Sequence, residues 1–209
     1  MDKLRQRYIA IQKAFWDSGG GAASILALYE FKDELEKNAE KEAKLVLVDV
    51  YELLGLKKSA CELLGKICDP KDRKQLKKLG YLKQYAQNGD AAAAKFDAGF
   101  IQDADPLPPG AADAKSKTEE LFKRTPGYFS WQGEHWLACC DDYCKFLGDV
   151  GTKELQDLGI AEEVFADYAL RGEFAVEDVR DYLVAGGDMA GYLFRCIRCG
   201  KYQIYVDAS

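Results

Sequence analysis

The chain has 209 residues, 48% of them hydrophobic and 31% charged, with a formal net charge of −6 and seven cysteines. That composition excludes wholesale disorder and is enough to bury a core without disulfides. An odd cysteine count without framework spacing or an export signal argues against a disulfide scaffold, and no apolar run reaches the roughly 18 residues of a membrane span, so the sequence reads as a soluble cytoplasmic protein.

Leu4, Tyr8, Ile11 and Phe15 recur at helical spacing and predict a first helix that stops at Asp17-Ser18-Gly19-Gly20-Gly21. Ala22 to about Leu54 continues as helix, either one long element or two joined near Asn38. Leu45-Val46-Leu47-Val48-Asp49-Val50 has the composition of a strand but runs unpunctuated into Tyr51-Glu52-Leu53-Leu54, so a buried helix ending at Gly55 is expected. Lys57 to Cys68 predicts another helix. Asp69-Pro70 then offers a capping carboxylate and a proline at the first position of a helix running to Asn88.

Past Gly89 the texture changes. Residues 1–89 hold 17 Lys/Arg against 13 Asp/Glu, a balance of +4, whereas the remainder holds 12 against 22, a balance of −10. We place a domain boundary there, giving an all-helical module over 1–89 and an α+β domain over 90–209. Pro106, Pro108, Pro109 and Gly110 interrupt a loop, Ala111 to Ser116 reads as a connector, and Thr118 precedes a helical pattern. Val164–Leu170 and Val176–Leu183 predict two more helices. The tail is two aromatic and β-branched runs, Gly191–Cys196 and Gly200–Val206, which predict a β-hairpin closed by a Cys-x-x-Cys turn. The fold class is therefore α+β: an all-α first half and a mixed second half ending in that hairpin.

Cys196-Ile197-Arg198-Cys199-Gly200-Lys201 has the form of a zinc knuckle, in which two thiolates in one turn point at one ion. A structural site needs four ligands. The remaining candidates are Cys139, Cys140 and Cys144, with His135 beside them, on what reads as a short helix that sets Cys140 and Cys144 on one face. The metal set selected is Cys196, Cys199, Cys140 and Cys144, against the plainer reading of small buried thiols. A nucleophilic Cys139 activated by His135 and oriented by Asp141 is a weaker reading, because nothing in the sequence fixes that geometry, and no catalytic set is expected. Gly19-Gly20-Gly21 lacks the Lys-Ser/Thr of a phosphate loop. The basic run Lys71, Arg73, Lys74, Lys77, Lys78 and Lys83 reads as a solvated helix face, not a nucleic-acid surface.

Three stretches, Ala91 to Phe100, Arg124-Thr125-Pro126-Gly127-Tyr128-Phe129-Ser130-Trp131-Gln132-Gly133-Glu134-His135-Trp136-Leu137 and Tyr192 to Gly200, together resemble the CbrC family of bacterial proteins across about residues 90–209. The resemblance implies a small cysteine-rich, zinc-binding protein associated with tolerance of a nuclease-type colicin. Where that family has cysteine-rich turns ahead of the alanine-rich stretch, this chain has Tyr85 to Asp90. The acidic second half suits a basic protein partner, so the expected function is that of an immunity protein that neutralises a basic toxin domain through Asp141, Asp142 and Asp149. The alternative is a zinc-binding structural or regulatory protein without enzymatic activity.

Overall fold

The computed structural model describes residues 3–87, 103–105, 125, 128 and 130–208. The alanine-rich stretch, the Pro106–Ser116 connector and the helix expected after Thr118 lie outside the described residues.

Five helices occupy the first half of the chain among the described residues: α1 (Lys3–Asp17), α2 (Ala22–Glu36), α3 (Lys41–Leu53), α4 (Lys57–Ile67) and α5 (Arg73–Gln87). The segment from Ala22 is thus two helices. Asn38 makes the break, its Oδ1 accepting the Glu40 N–H at 2.9 Å in place of a backbone carbonyl. Helix α2 is buried on several faces at once, through Leu28, Tyr29, Phe31, Lys32 and Leu35, because it lies between its neighbouring helices and the sheet. Val46, Val48 and Val50 stay helical in α3 because tertiary burial outweighs their β preference; all three are almost fully buried.

Helix α5 starts three residues later than the sequence suggests. Asp72 is the residue that caps it, accepting the N–H groups of Lys74 (2.9 Å) and Gln75 (3.2 Å), while Asp69 holds a preceding turn through Lys71 N–H at 2.8 Å. Leu82 and Leu64 close a small second core with Val48 and Ala60, so α4 and α5 stack outward from α3.

The second half is built on an antiparallel sheet of β5 (Lys145–Val150), β6 (Met189–Arg195) and β7 (Tyr202–Ala208), in that order, with a bulge between Phe146 and Gly148. Short helices α6 (Thr152–Asp157), α7 (Ala161–Tyr168) and α8 (Val176–Tyr182) connect β5 to β6. Two-residue strands β1 (Asp103–Ala104) and β2 (His135–Trp136) pair in parallel, and β3 (Ala138–Cys139) and β4 (Asp142–Tyr143) form a small hairpin.

Side-chain alternation sorts the sheet into two faces. Leu147, Val150, Leu193, Ile204 and Val206 join α1–α3 and α6–α8 in one core, so residues from both halves of the chain share a single hydrophobic cluster. Phe146, Tyr192 and Phe194 point the other way, into an aromatic layer with Tyr128, Trp136 and Tyr143. Gly148 permits the close approach of α2: its φ is +130°, and a Cβ there would stand 3.3 Å from Ile25 Cδ1 and 3.4 Å from Ala22 Cα. None of the helices among the described residues is long and apolar enough to cross a membrane.

Candidate metal centre

The β6–β7 connection supplies two thiols. Cys196 N–H donates to the Lys201 carbonyl at 2.9 Å and Gly200 N–H to the Cys196 carbonyl at 3.1 Å, with Gly200 at φ +78°, so the chain folds back under its own sulfurs. Arg198 N–H points at Cys196 Sγ, 3.4 Å away, and the Lys201 amide bonds Cys199. Backbone amides aimed at sulfur stabilise thiolate charge.

The second pair comes from the β3–β4 hairpin. Its two-residue loop is Cys140-Asp141, with φ of 51° and 63°, the type I′ arrangement that matches strand twist. Residues 135–144 were expected to be helical. They are extended instead, and this changes which thiols converge. Cys139 ends β3 with its Sγ 3.8 Å from Cys140 Sγ and 3.7 Å from Cys199 Sγ. The four sulfurs of Cys139, Cys140, Cys196 and Cys199 all lie within 4.8 Å of one another, close enough to hold a metal ion.

Of the four cysteines selected from sequence, Cys140, Cys196 and Cys199 come together and Cys144 does not. Four residues along a helix share a face, but in a strand-turn-strand they do not; Cys144 is buried beneath the aromatic layer, its thiol 3.5 Å from Gln203 Oε1. Cys139 takes the fourth place.

The thiols compete for charge. Burial and the neighbouring sulfurs push Cys139 well above the ordinary thiol range, and the hydrogen bond with Cys199 raises Cys140. Cys199 moves the other way, to about 7, held by the Lys201 amide and then by Cys196. Four adjacent sulfurs cannot all ionise without a compensating cation, which is what a metal ion supplies. Arg195 bonds the Gly200 carbonyl at 3.2 Å and Arg198 lies 3.9 Å from Asp142, which ties the Cys196–Gly200 turn to the β3–β4 hairpin.

His135 sits in β2, its Nε2 3.0 Å from Asp105 Oδ1, so the carboxylate that orients it is Asp105 and not Asp141. Asp105 Oδ2 also accepts the Ala138 N–H at 2.8 Å. Burial alone would raise Asp105, but the bonds from His135 and Ala138 win and hold it below the usual carboxylate range. Asp105 lies far upstream in sequence, and no spacing signal connected it to His135.

The three carboxylates expected to meet a partner do not make one surface. Asp141 is exposed in the hairpin loop, whereas Asp142 is buried at 3% exposure with its Oδ1 accepting its neighbour's N–H. Asp149 lines a separate cleft with Gly19–Gly21, Glu154 and Asp157. That ring of carboxylates also opposes any phosphate at the triple glycine. On α5, Lys78 turns inward to Asp49 and Glu52, thinning the basic face expected there.

Residues 85–208 match the model of an uncharacterised protein family, UPF0167. A UPF0167 protein of Pseudomonas aeruginosa is 40% identical over 120 residues, which is 56% of this chain and 65% of the relative. A UPF0167 protein of Mycobacterium bovis is 32% identical over 120 residues, 56% of this chain and 63% of the relative. The aligned segment thus spans less than two thirds of either relative. No solved structure matches. The resemblance to the CbrC family is corrected by these matches: the segment that carries it belongs to the UPF0167 model, its relatives bear that name, and the colicin association attached to the other name carries no argument.

Proposed function

We propose, on the premise that the chain belongs to the UPF0167 family and that its thiol cluster lies within the matched segment, that this is a zinc-binding protein whose metal has a structural role. One observation carries the reading: four sulfurs from two separate hairpins lie within 4.8 Å of one another. A tetrahedral zinc–thiolate site, with Zn–S near 2.3 Å, spaces its sulfurs by about 3.8 Å. The Cys139–Cys140 and Cys139–Cys199 separations are 3.8 and 3.7 Å.

Four thiolates fill the coordination of zinc and leave no open position for a substrate, which favours a structural ion over a catalytic one. Soft sulfur donors also select zinc or iron over magnesium or calcium. The ion's task follows from the topology. Strands β3 and β4 are two residues each, too short to hold a hairpin in water unaided, and the metal ties that hairpin to the β6–β7 turn.

Metal analysis of protein purified under reducing conditions tests this. About one zinc per chain is expected, released when the thiols are titrated with a mercurial, with a lower melting temperature after chelation. Iron as the stoichiometric metal would keep the site and change the ion. Failure to take up zinc on anaerobic reconstitution, or undiminished affinity in Cys196→Ser, would overturn the proposal.

A further inference from the structure

The four sulfurs of the cluster are not equally open to solvent. Cys140 and Cys199 are exposed, Cys139 is half-buried and Cys196 is buried at 2% exposure. An ion enclosed by protein is shielded from reagents, whereas here two of the ligands face water. Thiolates react with peroxides according to their charge and exposure, and a second thiol within reach turns the first product into a disulfide.

Geometry selects the pair. Cys139 and Cys140 are neighbours in sequence, and their Cα atoms, about 3.8 Å apart across a trans peptide, stand closer than the roughly 4.4–6.8 Å that a disulfide spans. Cys196 is held on both sides: its thiol donates to the Cys139 carbonyl at 3.6 Å and its sulfur accepts the Arg198 N–H at 3.4 Å. Cys199 sits in the turn between β6 and β7, 60 residues from Cys139 along the chain, with its Sγ 3.7 Å from Cys139 Sγ. An exposed sulfur on a turn therefore stands beside a half-buried one on another hairpin.

We propose, resting on the zinc reading above, that Cys199 and Cys139 form an oxidation-sensitive pair: a hydroperoxide joins them in a disulfide and the site gives up its ion. In the first step the Cys199 thiolate attacks the peroxide O–O bond and keeps one oxygen as a sulfenic acid, while the other leaves and takes a proton from solvent, as an alcohol or, from hydrogen peroxide, as water. In the second the Cys139 thiolate attacks that sulfur, the S–S bond forms, and the departing hydroxide is protonated to water. The two sulfurs lose two electrons and the peroxide gains them. Cys140 and Cys196 then remain, two ligands where a structural zinc takes four. The new bond joins the end of β3 to the β6–β7 turn, the same tie the metal makes, so the two hairpins stay attached while the ion leaves.

The test treats the full-length, zinc-loaded protein with hydrogen peroxide and follows released zinc with a chromogenic chelator, beside thiol titration and mass spectrometry of a non-reduced tryptic digest. Trypsin cuts after Arg195, Arg198 and Lys201, so Cys196 and Cys199 fall on separate peptides, and Cys139 lies on the peptide of residues 125–145. Two thiols are expected to disappear for each zinc released, the Cys199 peptide to be linked to residues 125–145 with fragmentation placing the bond at Cys139, and dithiothreitol with added zinc to restore thiols and metal. A starting protein that takes up no metal would sink the zinc reading and this inference with it. A zinc-loaded protein that keeps its ion and thiols under conditions that oxidise glutathione, a link through Cys140 or Cys196, or oxidation of Cys199 beyond the sulfenic acid without a link, would overturn this inference alone.

Discussion

Gly148→Ala tests whether the helical half and the sheet fold as one unit. The residue lies in β5 where α2 crosses, and two penalties act on an added methyl group. At φ +130° a side chain sits in strained backbone, worth about 1–3 kcal/mol. The methyl also stands 3.3 Å from Ile25 Cδ1, which can rotate away, and 3.4 Å from Ala22 Cα, which cannot move without shifting α2; overpacking of that kind costs about 1–3 kcal/mol. Together these give a loss of about 3 kcal/mol. Gly159→Ala is the matched control: φ there is +70° and nothing lies within 4 Å of the new atom, so only backbone strain of about 1 kcal/mol applies. Urea unfolding, followed by far-UV circular dichroism for the helices and by the fluorescence of the buried Trp136 in a Trp16→Phe, Trp131→Phe background for the aromatic layer, should show coincident transitions in both variants, with Gly148→Ala about 2 kcal/mol less stable than Gly159→Ala. Equal losses in the two variants, or a helical transition that ignores Gly148→Ala while the fluorescence moves, would refute a shared core.

Three further outcomes follow from side chains already placed. Cys139→Ser should lower bound zinc on metal analysis, whereas Cys144→Ser, outside the cluster, should leave the stoichiometry unchanged. Phe194→Ala removes a fully buried ring that contacts those of Tyr128, Trp136 and Phe146, and should cost about 3–5 kcal/mol in the same urea assay. Asp167 is opposed by burial but held below its ordinary value of 3.8 by Lys201 and Arg171, so its contribution is present above that value and is lost as pH falls through the depressed one. Asp167→Asn should therefore flatten the acid limb of stability against pH below about 4, measured by thermal melts across that range.

How far the sequence revealed the molecule depends on where local signals and tertiary ones agree. The helix and strand periodicities of α1, α3, α7, α8 and the β6–β7 hairpin were legible because an apolar stripe or alternation recurs with punctuation at each end. Residues 135–144 misled because the turn is Cys140-Asp141, both at positive φ, without the Asn-Gly or Asp-Gly that announces such a loop. Two-residue strands also carry no measurable period. The knuckle half of the cluster was visible as Cys-x-x-Cys-Gly, and its partner half was assigned to Cys140 and Cys144 for those two reasons. In the α5 cap the local rule was right and the residue wrong: Asp69-Pro70 looks like a helix start, yet Asp72 reaches the first free amides.

The thiol cluster and the Asp105–His135 pair are joined by one short stretch of chain. His135 leads through Leu137 and Ala138 directly to Cys139, and Asp105 holds both the His135 ring and the Ala138 amide. Any displacement of β3 on metal loss is therefore passed to Asp105 and from it to the imidazole, because one carboxylate with two bonded oxygens cannot follow one partner without pulling on the other. The coupling runs in both directions, since whatever fixes His135 also fixes the strand that presents Cys139. Chelation of zinc from the metal-loaded protein should accordingly move the NMR signals of His135, the chain's single histidine, and in Asp105→Asn, where the charged bond to the ring is gone, that response should shrink while the thiols still bind metal. An imidazole signal that ignores chelation would mean that the His135–Asp105 pair and the thiol cluster share a stretch of chain and nothing more.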